Sequence, residues 1–122
     1  MQASNGLLER ADVLTEDELD RLPVGMIQLS RDGTVLKFNQ TESHLAHYDK
    51  QEALGKNFFD EVAPCTKVQA FYGRFLEGVE HHSLHVVFPY EFKFRDGQQK
   101  DVIISMFYSK TTNTIWVQVQ RP

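Results

Sequence analysis

Val86, Phe88, Tyr90, Phe92 and Phe94 occupy every second position of the stretch from Leu84 to Phe94. A strand puts residues of period two on one face, and an α-helix does not. So large an apolar face must be covered, which commits the C-terminal third of the chain to a sheet packed against another layer. Arg95-Asp96-Gly97 reads as the turn that follows. Val102 to Tyr108 and Thr114 to Val119 read as two more strands, joined by a turn over Lys110 to Asn113. Near the other end, the apolar run Val24 to Leu29, the turn Arg31-Asp32-Gly33 and the resumption at Val35, Leu36 and Phe38 predict a hairpin.

Helices are expected before and between these strands. Thr15 followed by Glu18 is a capping-box pattern, predicting a short helix over 16–21 that Pro23 ends. Asn39 is a helix N-cap candidate with Glu42 just inside, and the stretch to Leu54 reads as short helices closed by Gly55. Pro64 interrupts any helix through Ala63-Pro64-Cys65-Thr66. Phe71, Phe75, Leu76 and Val79 fall at helical spacing and predict one longer helix from Val68 to about Gly78. The expected architecture is α+β: a central five-stranded antiparallel sheet, helices packed on one side, and a short helical N-terminal segment. The boundaries are an N-terminal cap over 1–22 and a single domain over 23–122.

Composition excludes several functions. At 122 residues there is room for one core. The formal charge of −4 argues against nucleic acid or an anionic membrane as partner, and no run of 18 apolar residues could cross a bilayer. Met1 to Leu14 has no apolar signal core, so a cytoplasmic location is expected. The single cysteine excludes an internal disulfide and a thiolate-rich zinc site. His81, His82 and His85 have no complementary carboxylate or Cys at ligand spacing, and read as a solvated helix end. Asp60 and Glu61 read as a solvated face, and Tyr48 as a surface residue unless a pocket reaches it. Cys65 has no His near it in sequence to act as a base, so an enzyme with a Cys nucleophile is not expected.

The middle of the chain carries a more specific pattern. Gly25-Met26-Ile27-Gln28-Leu29, Asp32-Gly33, and Asn39 with Glu42 lead to Gly55-Lys56-Asn57-Phe58-Phe59 and Val62-Ala63-Pro64-Cys65-Thr66. Phe71-Tyr72-Gly73, Phe75 and Trp116-Val117 follow. Together these resemble the photoactive yellow protein family, a group of PAS-like blue-light sensors, over nearly the whole chain; the first 20 or so residues match loosely. The resemblance implies a PAS-like fold and a p-coumaric acid (4-hydroxycinnamic acid) chromophore held as a thioester on Cys65. It implies that a protonated Glu42 donates a hydrogen bond to the chromophore phenolate, and that the Cys65 backbone N–H donates to the thioester carbonyl. The implied pocket comprises Ile27, Phe38, Ala46, Tyr48, Phe58, Val62, Ala63, Pro64, Thr66 and Phe92. The implied photocycle is trans–cis isomerisation, proton transfer from Glu42, and loosening of the N-terminal segment to signal to a downstream protein. A monomer or weak dimer is expected. The alternative is a PAS-type ligand-binding or protein-interaction module without that photocycle.

The chain also departs from the family pattern. Phe38 stands where a second phenolate donor, a tyrosine, is usual; Ala46 stands for the threonine that bonds it, and Tyr48 for an arginine that caps the pocket. Losing a donor to an anion raises its pKa, so more neutral, bluer-absorbing chromophore is expected near neutrality. The turn at Asp96-Gly97-Gln98 lacks a methionine that speeds recovery in the family, which predicts slow return in the dark.

Overall fold

The computed structural model describes residues 6–94 and 96–122; Met1 to Asn5 of the cap and Arg95 of the predicted turn lie outside the described residues. Five strands form one sheet: β1 (Gly25–Leu29), β2 (Val35–Phe38), β3 (His85–Lys93), β4 (Gln99–Ser109) and β5 (Thr114–Gln120). Their order is β2-β1-β5-β4-β3, with every neighbouring pair antiparallel. The first and last strands in sequence are therefore central neighbours, and Ile27 lies opposite Val117.

Period-two alternation assigns each strand two faces. Ile27, Leu29, Ile115, Val117, Val119, Val102, Ile104 and Met106 point into the main core. That core is completed by α3 (Gln40–Ala46), α4 (Lys50–Ala53), α5 (Arg74–His81) and the turns between them. Met26 and Trp116 point the other way, into a smaller cluster with Leu7, Leu8, Ala11 and Leu19. These last four come from α1 (Leu7–Arg10), a 3-10 turn Ala11–Val13, and α2 (Glu16–Asp20). The larger helices thus lie on one side of the sheet, and the N-terminal segment covers the opposite face.

Local chemistry explains the helix starts. Thr15 and Glu18 form the reciprocal capping box at α2, at 3.1 and 2.8 Å. Asn39 caps α3, and Asp49 caps α4. The stretch after Cys65 departs from the predicted single helix. Val68 O accepts from both Tyr72 N (2.7 Å) and Gly73 N (3.3 Å), giving a wide π-type turn Gln69–Gly73 before α5 begins at Arg74. This places Phe71 fully inside, edge-on to Phe88 and Tyr90. The helix then runs past Gly78 to His81.

Candidate functional site

Between the α3 side of the core and the β3 edge lies a cavity of about 280 Å³, close to the lower end of small-molecule pockets. Its wall comprises Phe38, Glu42, Ala46, Tyr48, Phe58, Val62, Ala63, Pro64, Cys65, Phe92, Lys93 and Phe94. Apart from the carboxyl, the phenol, the thiol and Lys93, the lining side chains carry no polar atoms.

Glu42 reaches this wall because Asn39 sets the start of α3. Asn39 Oδ1 accepts from Glu42 N and from Met26 N, both at 2.9 Å. Asn39 Nδ2 donates to Leu19 O (2.7 Å) and Val24 O (3.1 Å). One buried amide therefore joins α3, β1 and the end of α2. Thr41 Oγ1 donates to Leu22 O (2.6 Å), and Asp20 Oδ1 accepts from Gln40 N (2.7 Å), reinforcing the same junction.

The Glu42 side chain is 2% exposed, and its Oε1 has no hydrogen-bond partner among the described residues. Burial pushes its carboxyl from 4.5 up to about 8, so it is a neutral acid at neutral pH. A protonated carboxyl in such a place is a hydrogen-bond donor awaiting an acceptor.

Cys65 is positioned by an unusual run of turns. Asn57 Oδ1 accepts from Phe59 N and Asp60 N, both at 3.0 Å, starting a π-type turn Phe58–Val62. Ala63 N closes it on Phe58 O at 2.8 Å. Pro64 then prevents continuation, and a 3-10 turn Pro64–Thr66 carries the half-buried thiol to the cavity wall. The Tyr90 hydroxyl of β3 donates to the Cys65 carbonyl.

Tyr48 is buried at the wall, not on the surface. It follows His47, whose left-handed backbone (φ 55°) ends α3. Tyr48 N donates to Ser43 O (3.1 Å), and Ser43 Oγ donates to Tyr48 O (2.6 Å), folding the ring back beside Phe38 at 6.3 Å. Its hydroxyl accepts from Lys56 Nζ at 3.4 Å.

Two residues of the expected pocket do not line the cavity. Ile27 is fully buried in the main core, behind the wall on central strand β1. Thr66 is fully buried with its hydroxyl turned back to Ala63 O (2.6 Å), where it braces the Cys65 turn. The sequence reading missed Lys93 and Phe94 at the wall and Tyr90 behind Cys65. Phe94 and Tyr90 share the parity of Phe92, a signal that was available; nothing local marks Lys93. His81, His82 and His85 are exposed. Among the described residues no three His, Cys, Asp or Glu are grouped to hold a metal ion, and no helix is long and apolar enough to cross a membrane.

Comparisons with known proteins identify the fold and the family. The PAS fold family matches residues 14–120. Photoactive yellow protein of Halochromatium salexigens is 38% identical over 88% of this chain and 86% of its own. That of Rhodothalassium salexigens is 38% identical over 85% of this chain and 82% of its own. The crystal structure of the photoactive yellow protein domain from the sensor histidine kinase Ppr of Rhodospirillum centenum superposes with a TM-score of 0.86 at 37% identity, covering 92% of this chain and 97% of that one. The chain belongs to the photoactive yellow protein family and has the PAS fold.

Proposed function

We propose that the chain is a blue-light photoreceptor that holds a p-coumaroyl group as a thioester on Cys65. The carrying observation is the pairing, in one largely apolar cavity, of a half-buried thiol with a neutral, buried carboxyl at Glu42 whose Oε1 has no hydrogen-bond partner among the described residues. A flat aromatic ring suits the Phe38, Phe58, Phe92 and Phe94 walls, and a phenolic oxygen suits the carboxyl. When bound, the p-coumaroyl group supplies near-visible absorption and a trans–cis isomerisation.

The chain's own residues supply the rest. Cys65 anchors the ligand in a turn fixed by Pro64 and Thr66. Glu42 holds a proton at its carboxyl and is the hydrogen-bond donor at the buried end. Once it gives up that proton, it becomes an unpaired carboxylate in an apolar site, a costly state. Displacement of α3 relieves that state, and Asn39, Thr41 and Gln40 would pass the displacement to Leu19, Leu22 and Asp20 of the N-terminal segment. The loosened segment is the signal to a downstream protein.

Infrared difference spectra of the reconstituted protein test the proton step. A carboxylic C=O band should disappear on illumination and be missing from Glu42→Gln. A light-driven spectrum with no such band would remove Glu42 from the mechanism, and absence of any light response would leave a PAS-type ligand-binding or interaction module.

A further inference from the structure

We propose that Tyr90 is the positioning residue for loading Cys65, fastening the peptide carbonyl of the reacting cysteine so that its thiol meets a thioester acyl donor in the cavity. The inference rests on Cys65 being the attachment point. The turn that carries Cys65 is braced on its own side by Thr66, whose N (2.9 Å) and Oγ1 (2.6 Å) both donate to Ala63 O. These bonds fix the residues before and after the thiol, but not the Cys65 carbonyl. Tyr90 does that from β3, across 25 residues of sequence.

The Tyr90 hydroxyl is itself aimed. Its ring is gripped edge-on by Phe71 (5.4 Å, 82°) and Phe92 (5.9 Å, 85°), so little side-chain freedom remains to be lost. Its phenol is held above the ordinary 10.0, first by burial and then by the electrostatic influence of the neighbouring Cys65. It therefore remains a proton donor to higher pH than an ordinary phenol does.

The step it assists is thiol–thioester exchange. The Cys65 thiolate attacks the carbonyl carbon of a p-coumaroyl thioester, and a new S–C bond forms as the old one breaks. The departing thiolate takes up the proton that Cys65 lost, and no electrons are gained or lost overall. Tyr90 touches none of the reacting atoms. It restrains the turn at the Cys65 carbonyl, so the attack starts from an aligned geometry.

The test compares wild type, Tyr90→Phe and Tyr90→3-fluorotyrosine in two reactions of Cys65: transfer from a p-coumaroyl thioester, and alkylation by iodoacetamide. Tyr90→Phe should slow the reaction by about tenfold, the size of one neutral hydrogen bond. The more acidic fluorinated phenol should preserve the neutral-pH rate and make it fall at lower pH than in wild type. A residue that merely fills space would not shift that profile, and this variant carries the test should Tyr90→Phe fail to fold. Slower alkylation in Tyr90→Phe with no p-coumaroyl transfer in wild type keeps the positioning role and rejects the photoreceptor reading. Unchanged rates with both reagents, in folded variants with the wild-type pH profile, overturn the proposal.

Discussion

The carboxyl of Glu42 is packed directly on the backbone of Gly25: a methyl group placed on Gly25 would lie 2.0 Å from Glu42 Oε1. The backbone of Gly25 is in no special region; the absence of a side chain is what the site requires. Gly25→Ala should therefore push Glu42 from its place, costing about 1–3 kcal/mol as overpacking does. Urea unfolding measures the cost, and a wild-type midpoint would show that Glu42 is not confined there.

Glu42 makes stability depend on pH in a stated direction. Its folded value is raised from 4.5 to about 8, so between these limits the folded chain keeps a proton that the unfolded chain has lost. Stability from this group accordingly falls as pH rises through that window and levels off above it. Unfolding free energies of unloaded wild type and Glu42→Gln should diverge in favour of the variant across the window, by on the order of a few kcal/mol. A constant difference would mean that the carboxyl is ionised or solvated.

Asn39 joins three elements through four hydrogen bonds. Asn39→Ala should cost about 3 kcal/mol, since it removes a helix cap and leaves buried donors and acceptors unpaired. Hydrogen exchange should show α2 and α3 loosening together. Loosening of α3 alone would contradict the coupling of Glu42 to the N-terminal segment.

On the far face, Asp12 receives three hydrogen bonds from the C-terminal hairpin: from Trp116 Nε1 (2.7 Å), Thr112 Oγ1 (3.2 Å) and Ser109 Oγ. Trp116 is the only tryptophan and is fully buried beneath the N-terminal segment. Asp12→Ala should cost about 2 kcal/mol and raise acrylamide quenching of the Trp116 fluorescence several-fold. Quenching as low as in wild type would show that apolar packing alone holds the segment down.

Much of this was legible in the sequence because it obeys local rules. The capping box at Thr15, the N-cap at Asn39, the hairpin around Gly33 and the alternation of β3 each follow from residues within a few positions of one another. Phe71 and Phe75 misled because a π-type turn and an α-helix give nearly the same spacing over one turn, and the extra residue at Gly73 leaves no compositional mark. The cavity wall was less legible for a different reason. Tyr90 reaches the Cys65 turn, and Lys93 and Phe94 reach the cavity wall, only through the placement of β3 and its end in the folded chain, and Ile27 is screened from the cavity by packing that no local pattern encodes. The burial of Glu42 was read from resemblance; its residue type alone would place it at a solvent-facing position.

The most direct measurement is the absorption spectrum of the protein after reaction with an activated p-coumaroyl ester, before and after blue light, across acid to mildly alkaline pH. A near-visible band should form that is absent from Cys65→Ala, bleaches in blue light and recovers slowly in the dark. Because Phe38 offers no hydroxyl, a bluer neutral form should grow in as pH is lowered through neutrality. A protein that acquires no Cys65-dependent band, or one whose band is indifferent to light, contradicts the account.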